Sequence, residues 1–104
     1  MIQFFKNLFS SGPKVTLDEL LEKGAVIVDV RSKAEFAGGH LNNSVNIPLD
    51  VLKNRLKELD SSKPVITCCV TGMRSASAKN ILKANGFEEV KNGGGWASLK
   101  RFDN

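Results

Sequence analysis

Two short runs of the chain are almost unbroken in apolar residues, AVIVDV at 25–30 and VITCC at 65–69. Both are rich in β-branched side chains, and neither alternates apolar with polar positions. Each predicts a strand buried on both faces, the pattern of a parallel sheet. Two weaker runs join them. SVNI at 44–47 is stopped by Pro48, and EEVKN at 88–92 is followed by the glycines 93–95, which predict a bend.

Between the strands the apolar positions recur at helical spacing. Thr16-Leu-Asp-Glu19 and Ser32-Lys-Ala-Glu35 have the form of capping boxes, in which hydroxyl and carboxylate accept the free backbone N–H groups of a helix start. The first predicts a helix from Leu17 to about Lys23, stopped by Gly24, and the second a short helix ending at Gly38-Gly39. Leu49 to Leu59 predicts a helix with Leu52, Leu56 and Leu59 as its apolar stripe. SSKP at 61–64 reads as a turn. Ser75 to Asn85 predicts a helix with Ala78, Ile81 and Leu82 inward and Gly86 as its stop, and Trp96 to about Arg101 a terminal helical turn. Strands alternating with helices predict a doubly wound α/β domain, with a mostly parallel sheet and helices on both faces.

Length and composition fit one domain, 15–104, after a segment at 1–14. In that segment Ile2, Phe4, Phe5, Leu8 and Phe9 fall at helical spacing around Lys6 and Asn7. The expectation is a short helix packed on the domain or a tail; the alternative is that residues 2–9 contact a partner or a membrane surface. The run is too short and interrupted for a signal-peptide core. A formal charge of +4 and a pI near 9.3 mildly favour anionic partners. The basic residues are spread along the chain without aromatic interleaving, so no nucleic-acid footprint is read. Two cysteines and the lone His40 fall short of a structural zinc site, and no metal or cofactor is expected. Adjacent cysteines close almost no loop as a disulfide. Their use fits working thiols in a reducing, cytoplasmic compartment.

The chemistry gathers in TCCVTGMRSAS at 67–77. Counted from Cys68 it reads C-x5-R, ending at Arg74; counted from Cys69 it reads C-x4-R. In open α/β sheets, ligands bind beyond the carboxyl ends of the strands, where this stretch begins. Gly72 lets the loop curl until its N–H groups converge into an anion-binding nest, and the helix after Ser75 adds its N-terminal dipole. A thiol at the centre has its thiolate stabilised, and the Arg74 guanidinium adds positive charge. The alternative is a pair of small buried hydrophobes.

Three segments of the chain resemble the rhodanese family. DVRSKAEFAGGHLNNSVNIPL at 29–49 is similar to its N-terminal signature, CVTGMRSASA from Cys69 to its active-site loop, and GGWASLK to its C-terminal glycine-aromatic segment. They stand in the family's order, and the resemblance covers essentially residues 15–101. The resemblance implies a five-stranded parallel sheet and an enzyme that moves a sulfane sulfur through a cysteine persulfide. It also implies the register. Cys69-Val70-Thr71-Gly72-Met73-Arg74-Ser75 fits the rhodanese loop at every defined position, with Cys69 as nucleophile. Its amides from Val70 to Ser75 then hold the charged sulfur, with the Thr71 hydroxyl as a donor to the terminal sulfur. Arg74 either orients an anionic donor or forms a structural ion pair. Cys68 is left as a second thiol at the strand end, facing away from its neighbour.

The expected function is transfer of sulfur from thiosulfate, a polysulfide or a protein persulfide to a thiol or cyanide. Glutathione, thioredoxin or a sulfur-carrier protein are the expected acceptors. Val70 stands where many thiosulfate-using relatives carry a charge, and Thr71 and Met73 are also uncharged, which shifts expectation toward persulfide or polysulfide donors. Leu99 replaces a frequent Trp. Gly94, Gly95 and Trp96 are expected to wall the pocket, with Trp96 alternatively in the core. His40 and Asp29 read as structural, and Arg31 with Glu35 as an ion pair. Two other functions compete: a C-x5-R phosphatase using Cys68, and a module that binds persulfides or partners without turnover.

Overall fold

A computed structural model of the protein describes residues 15–103. The expected amphipathic segment, including residues 2–9, lies outside them. The four apolar runs form one sheet of four parallel strands: β1 (Val26–Asp29), β2 (Ser44–Asn46), β3 (Val65–Cys69) and β4 (Val90–Gly95), in the order β2-β1-β3-β4. The family resemblance implies five strands; four stand among the described residues. The helices are α1 (Leu17–Glu22), α2 (Lys33–Ala37), α3 (Leu49–Leu52) and α4 (Met73–Ala84), with 3-10 turns at Lys53–Glu58 and Trp96–Phe102. Among the described residues no helix is long and apolar enough to cross a membrane.

Alternation along the central strands divides the core in two. Val28, Val65 and Cys69 pack with Leu52, Ala78 and Leu82 of α3 and α4. Ile27, Ile66 and Cys68 pack on the other face with Leu20 of α1 and Leu99 of the terminal turn. Helices therefore cover both faces, and the two neighbouring cysteines belong to different cores. Both capping boxes form. Glu19 N–H reaches Thr16 Oγ1 at 3.1 Å and Thr16 N–H reaches the Glu19 carboxylate at 2.8 Å; the Ser32 and Glu35 distances are 3.2 and 3.0 Å.

Three boundaries differ from expectation. The helix expected over 49–59 is α-helical only to Leu52, then tightens to a 3-10 turn with Arg55 at φ −120°, ψ 17°. Leu56, within that turn, and Leu59, extended just after it, still pack against the core. α4 begins at Met73, because Gly72 at φ +100° turns the chain straight into the helix. β4 runs through the three glycines instead of bending at them. Thr67 pairs with Asn92 and Cys69 with Gly95, so three steps on β4 oppose two on β3. The extra residue is a bulge, and Gly94 takes a φ of +82° there.

The bulge also requires missing side chains. A Cβ on Gly95 would stand 2.6 Å from the Val70 carbonyl oxygen, and one on Gly93 would stand 2.8 Å from Ile66 Cγ2. Gly95→Ala must therefore displace backbone, and it is expected to cost about 1–3 kcal/mol of stability. A urea midpoint checks this, and an unchanged midpoint would mean that the loop after Cys69 moves aside freely.

Candidate active site

β3 delivers Cys69 to the carboxyl edge of the sheet, and only Val70, Thr71 and Gly72 separate it from α4. The early helix start places Ser75 on the first turn, where backbone N–H groups have no partner within the helix. Two such groups converge on the sulfur. Cys69 Sγ accepts the Gly72 N–H at 3.0 Å and the Ser75 N–H at 3.4 Å, and Ser75 Oγ lies 3.4 Å away. Burial alone would push this thiol up. Hydrogen bonds from the Ser75 hydroxyl and from the N–H groups of Ser75, Gly72 and Thr71 outweigh it, so the thiol ionises below its ordinary value.

Cys68 has the opposite surroundings. It is fully buried in the core formed with α1 and the terminal turn. Burial, and then the Asp29 carboxylate, push its thiol up to about 12, with Arg31 opposing. The sequence brings the two thiols together, and the parity of the strand sends one into the cradle and the other away from it.

A polar frame holds the cradle in place. Thr67 Oγ1 donates to the Ser75 carbonyl at 2.9 Å, and Ser75 Oγ donates to Asn92 Oδ1 at 2.6 Å. Asn92 Nδ2 donates to the Gly72 carbonyl at 3.0 Å, and the Gly94 N–H donates to Asn92 Oδ1 at 2.9 Å. Nothing in the sequence points to Asn92. Its only local sign is a polar residue inside a strand, just ahead of the glycines.

Arg74 forms a two-pronged ion pair with Glu35, at 2.7 and 3.1 Å. This pair, with the capping bond from Ser32, lowers the Glu35 carboxyl to about 2. The expected Arg31–Glu35 pair is therefore corrected. Arg31 turns to Asp29 instead, with the closest contact at 2.8 Å, both side chains almost wholly buried. A helical spacing of four offers Glu35 one partner, and the fold offers a better-placed one on α4. Arg31 Nη1 reaches only the Glu35 backbone carbonyl, at 3.4 Å. Asp29 also accepts the Arg31 N–H at 3.0 Å, consistent with its structural reading.

His40 stacks on Phe36 with ring centroids 3.7 Å apart, its Nδ1 2.6 Å from the Phe36 carbonyl oxygen. Gly95 lies against the Val70 carbonyl, and Gly94 Cα lies 3.4 Å from where a Cβ on Gly72 would stand, so both border the loop. Trp96 lies under Arg31, 4.6 Å from the guanidinium carbon to the ring centroid, and packs on the core that holds Cys68. Val70 and Met73 are 51% and 77% exposed, which gives the loop an uncharged, partly apolar outer surface. An open groove of about 310 Å³, lined by Val30, Ser32, Pro48, Leu49, Asp50 and Arg74, adjoins it.

Residues 14–101 match the rhodanese-like domain family. Over 82 residues the chain is 34% identical to the thiosulfate sulfurtransferase GlpE of Pseudomonas syringae, covering 79% of this chain and 77% of that protein. It is 43% identical over 68 residues to the uncharacterized protein YqhL of Bacillus subtilis, covering 65% of this chain and 54% of YqhL, so it spans about half of that relative. Among solved structures, the human single-domain sulfurtransferase TSTD1 aligns with a TM-score of 0.67 at 26% identity, over 89% of this chain and 99% of that one. The reduced CoADR-RHD of Bacillus anthracis aligns with a TM-score of 0.69 at 37% identity, over 81% of this chain and 15% of that one.

Proposed function

This chain belongs to the rhodanese-like domain family, and on that footing we propose that it is a sulfurtransferase working through a persulfide on Cys69. The Cys69 thiolate attacks the outer sulfur of a donor, such as thiosulfate, a polysulfide or a protein persulfide. An acceptor thiol, on glutathione, thioredoxin or a sulfur-carrier protein, or cyanide in vitro, then takes that sulfur. The observation that carries this reading is the convergence of the Gly72 and Ser75 N–H groups on one sulfur.

The competing phosphatase needs Cys68 as nucleophile. That thiol is turned into the opposite core and stays protonated at any working pH. A binding module without turnover needs no activated thiol, and Cys69 is activated. The sulfur itself is buried, so a donor reaches it only after some of its surroundings shift. Because Glu35 occupies the Arg74 fork, the loop presents no unpaired cation of its own, which favours donors that do not depend on a bound sulfonate.

Intact mass spectrometry tests the reading. Exposure to polysulfide or thiosulfate is expected to add one sulfur, about 32 Da, to the intact protein, and Cys69→Ser is expected to abolish that gain. Hydrolysis of an aryl phosphate with no gain of sulfur would sink it in favour of phosphate chemistry.

A further inference from the structure

Asn92 is fixed at both ends of its amide. Nδ2 donates to the Gly72 carbonyl at 3.0 Å, and Oδ1 accepts the Gly94 N–H at 2.9 Å. A flipped amide would set its NH2 against an N–H and its oxygen against a carbonyl, so the orientation is settled by its partners. Ser75 Oγ lies 2.6 Å from that same Oδ1, so the hydroxyl donates to it. A serine has one proton to give. With that proton directed at Asn92, the 3.4 Å contact between Ser75 Oγ and Cys69 Sγ runs one way: the thiol S–H donates and the hydroxyl oxygen accepts.

We propose that Asn92 is a positioning residue for Cys69, holding the Ser75 hydroxyl proton while the sulfur is a thiol and releasing it when the sulfur becomes charged. When the Cys69 proton leaves to solvent, the electron pair stays on Sγ and the Ser75 hydroxyl rotates to donate to it. Asn92 Oδ1 keeps the Gly94 N–H and is not left unpaired. The rest of the cycle rests on the sulfurtransferase reading. The thiolate bonds to the donor's outer sulfur, the donor's bond to that sulfur breaks, and its electron pair leaves with the departing group. The thiolate's charge goes out with the departing group, Sγ becomes neutral, the terminal sulfur keeps whatever charge the donor's outer sulfur brought, and the hydroxyl returns to Asn92. The titratable groups that feel the Cys69 charge are Arg74 on α4, paired with Glu35, and the neighbouring Cys68. β4 meets the cradle with Asn92 and glycines.

The test is the ionisation of Cys69, followed by thiolate ultraviolet absorbance in wild type, Asn92→Leu, Ser75→Ala and the double variant. Leucine at 92 loosens the loop in either background, and that shared part cancels in the cycle. What remains is the freed serine proton. The pKa change caused by Asn92→Leu is expected to lie about one unit lower with Ser75 present than with alanine there, the worth of one hydrogen bond. Equal changes in both backgrounds overturn the proposal and leave Asn92 a loop anchor. If Ser75→Ala does not fold, the infrared S–H bands of wild type decide. The Cys69 band, identified by its loss in Cys69→Ser, is expected below that of Cys68, and coincident bands overturn the proposal. Neither measurement needs turnover, so failure of this device and failure of sulfur transfer are read separately.

Discussion

Cys69→Ser is expected to take up no sulfur from any donor and to lose at least about a thousandfold in transfer rate, as loss of a covalent nucleophile does. Cys68→Ser is expected to keep both properties. The two residues are adjacent, so nearness to the loop does not separate them; their surroundings do. Cys69 sits under two backbone N–H donors at a helix start, and Cys68 lies among Leu20, Ile27 and Leu99 beside a carboxylate. Only thiolate reacts, so the alkylation rate of Cys69 should rise with pH and level off below the ordinary thiol value of about 8.5. Cys68 should stay unreactive until pH nears 12, its shifted value. Circular dichroism confirms that each variant is folded. Sulfur retained in Cys69→Ser, or lost in Cys68→Ser, would move the nucleophile to Cys68.

The second large effect falls on stability. Asp29→Ala is expected to cost about 3–5 kcal/mol, because it strips the partner from a buried guanidinium. Arg31 is 4% exposed and Asp29 is 0% exposed. Three side-chain contacts join them, at 3.0, 3.1 and 2.8 Å, and the Gly39 carbonyl at 2.7 Å is too weak a partner to replace a carboxylate. Denaturant midpoints measure the loss. Adding Arg31→Met to Asp29→Ala is expected to recover part of it, since the orphaned charge is then gone and the Trp96 ring still has an apolar neighbour. A loss below about 1 kcal/mol from Asp29→Ala would place this pair with ordinary surface bridges.

The strands, both capping boxes and the identity of the central loop are legible in the sequence because their causes are local. An apolar run, a hydroxyl three places before a carboxylate, and a cysteine before a glycine carry their signals within a few residues. What is not legible is long-range. Glu35 has an arginine four places back, yet its partner is Arg74, on a helix brought to it only by the fold. The start of α4 is misread because a serine is the familiar cap, whereas Gly72 makes the turn here by backbone conformation alone. Asn92 gives no local signal, since its value depends on β3 and α4 meeting at one bulge. Glycines in series read as a bend, but here they let two backbones approach more closely than any side chain would permit.

The opposed facing of Cys68 and Cys69 changes how this protein meets reagents that grip two sulfurs at once. Trivalent arsenicals select neighbouring thiols, and by its sequence this chain qualifies as a vicinal dithiol. Folded, it is a monothiol to such a reagent, because the sheet itself stands between the sulfurs. Only the unfolded chain offers both on one side, so capture by a bridging arsenical reports loss of the fold and not the state of the active site.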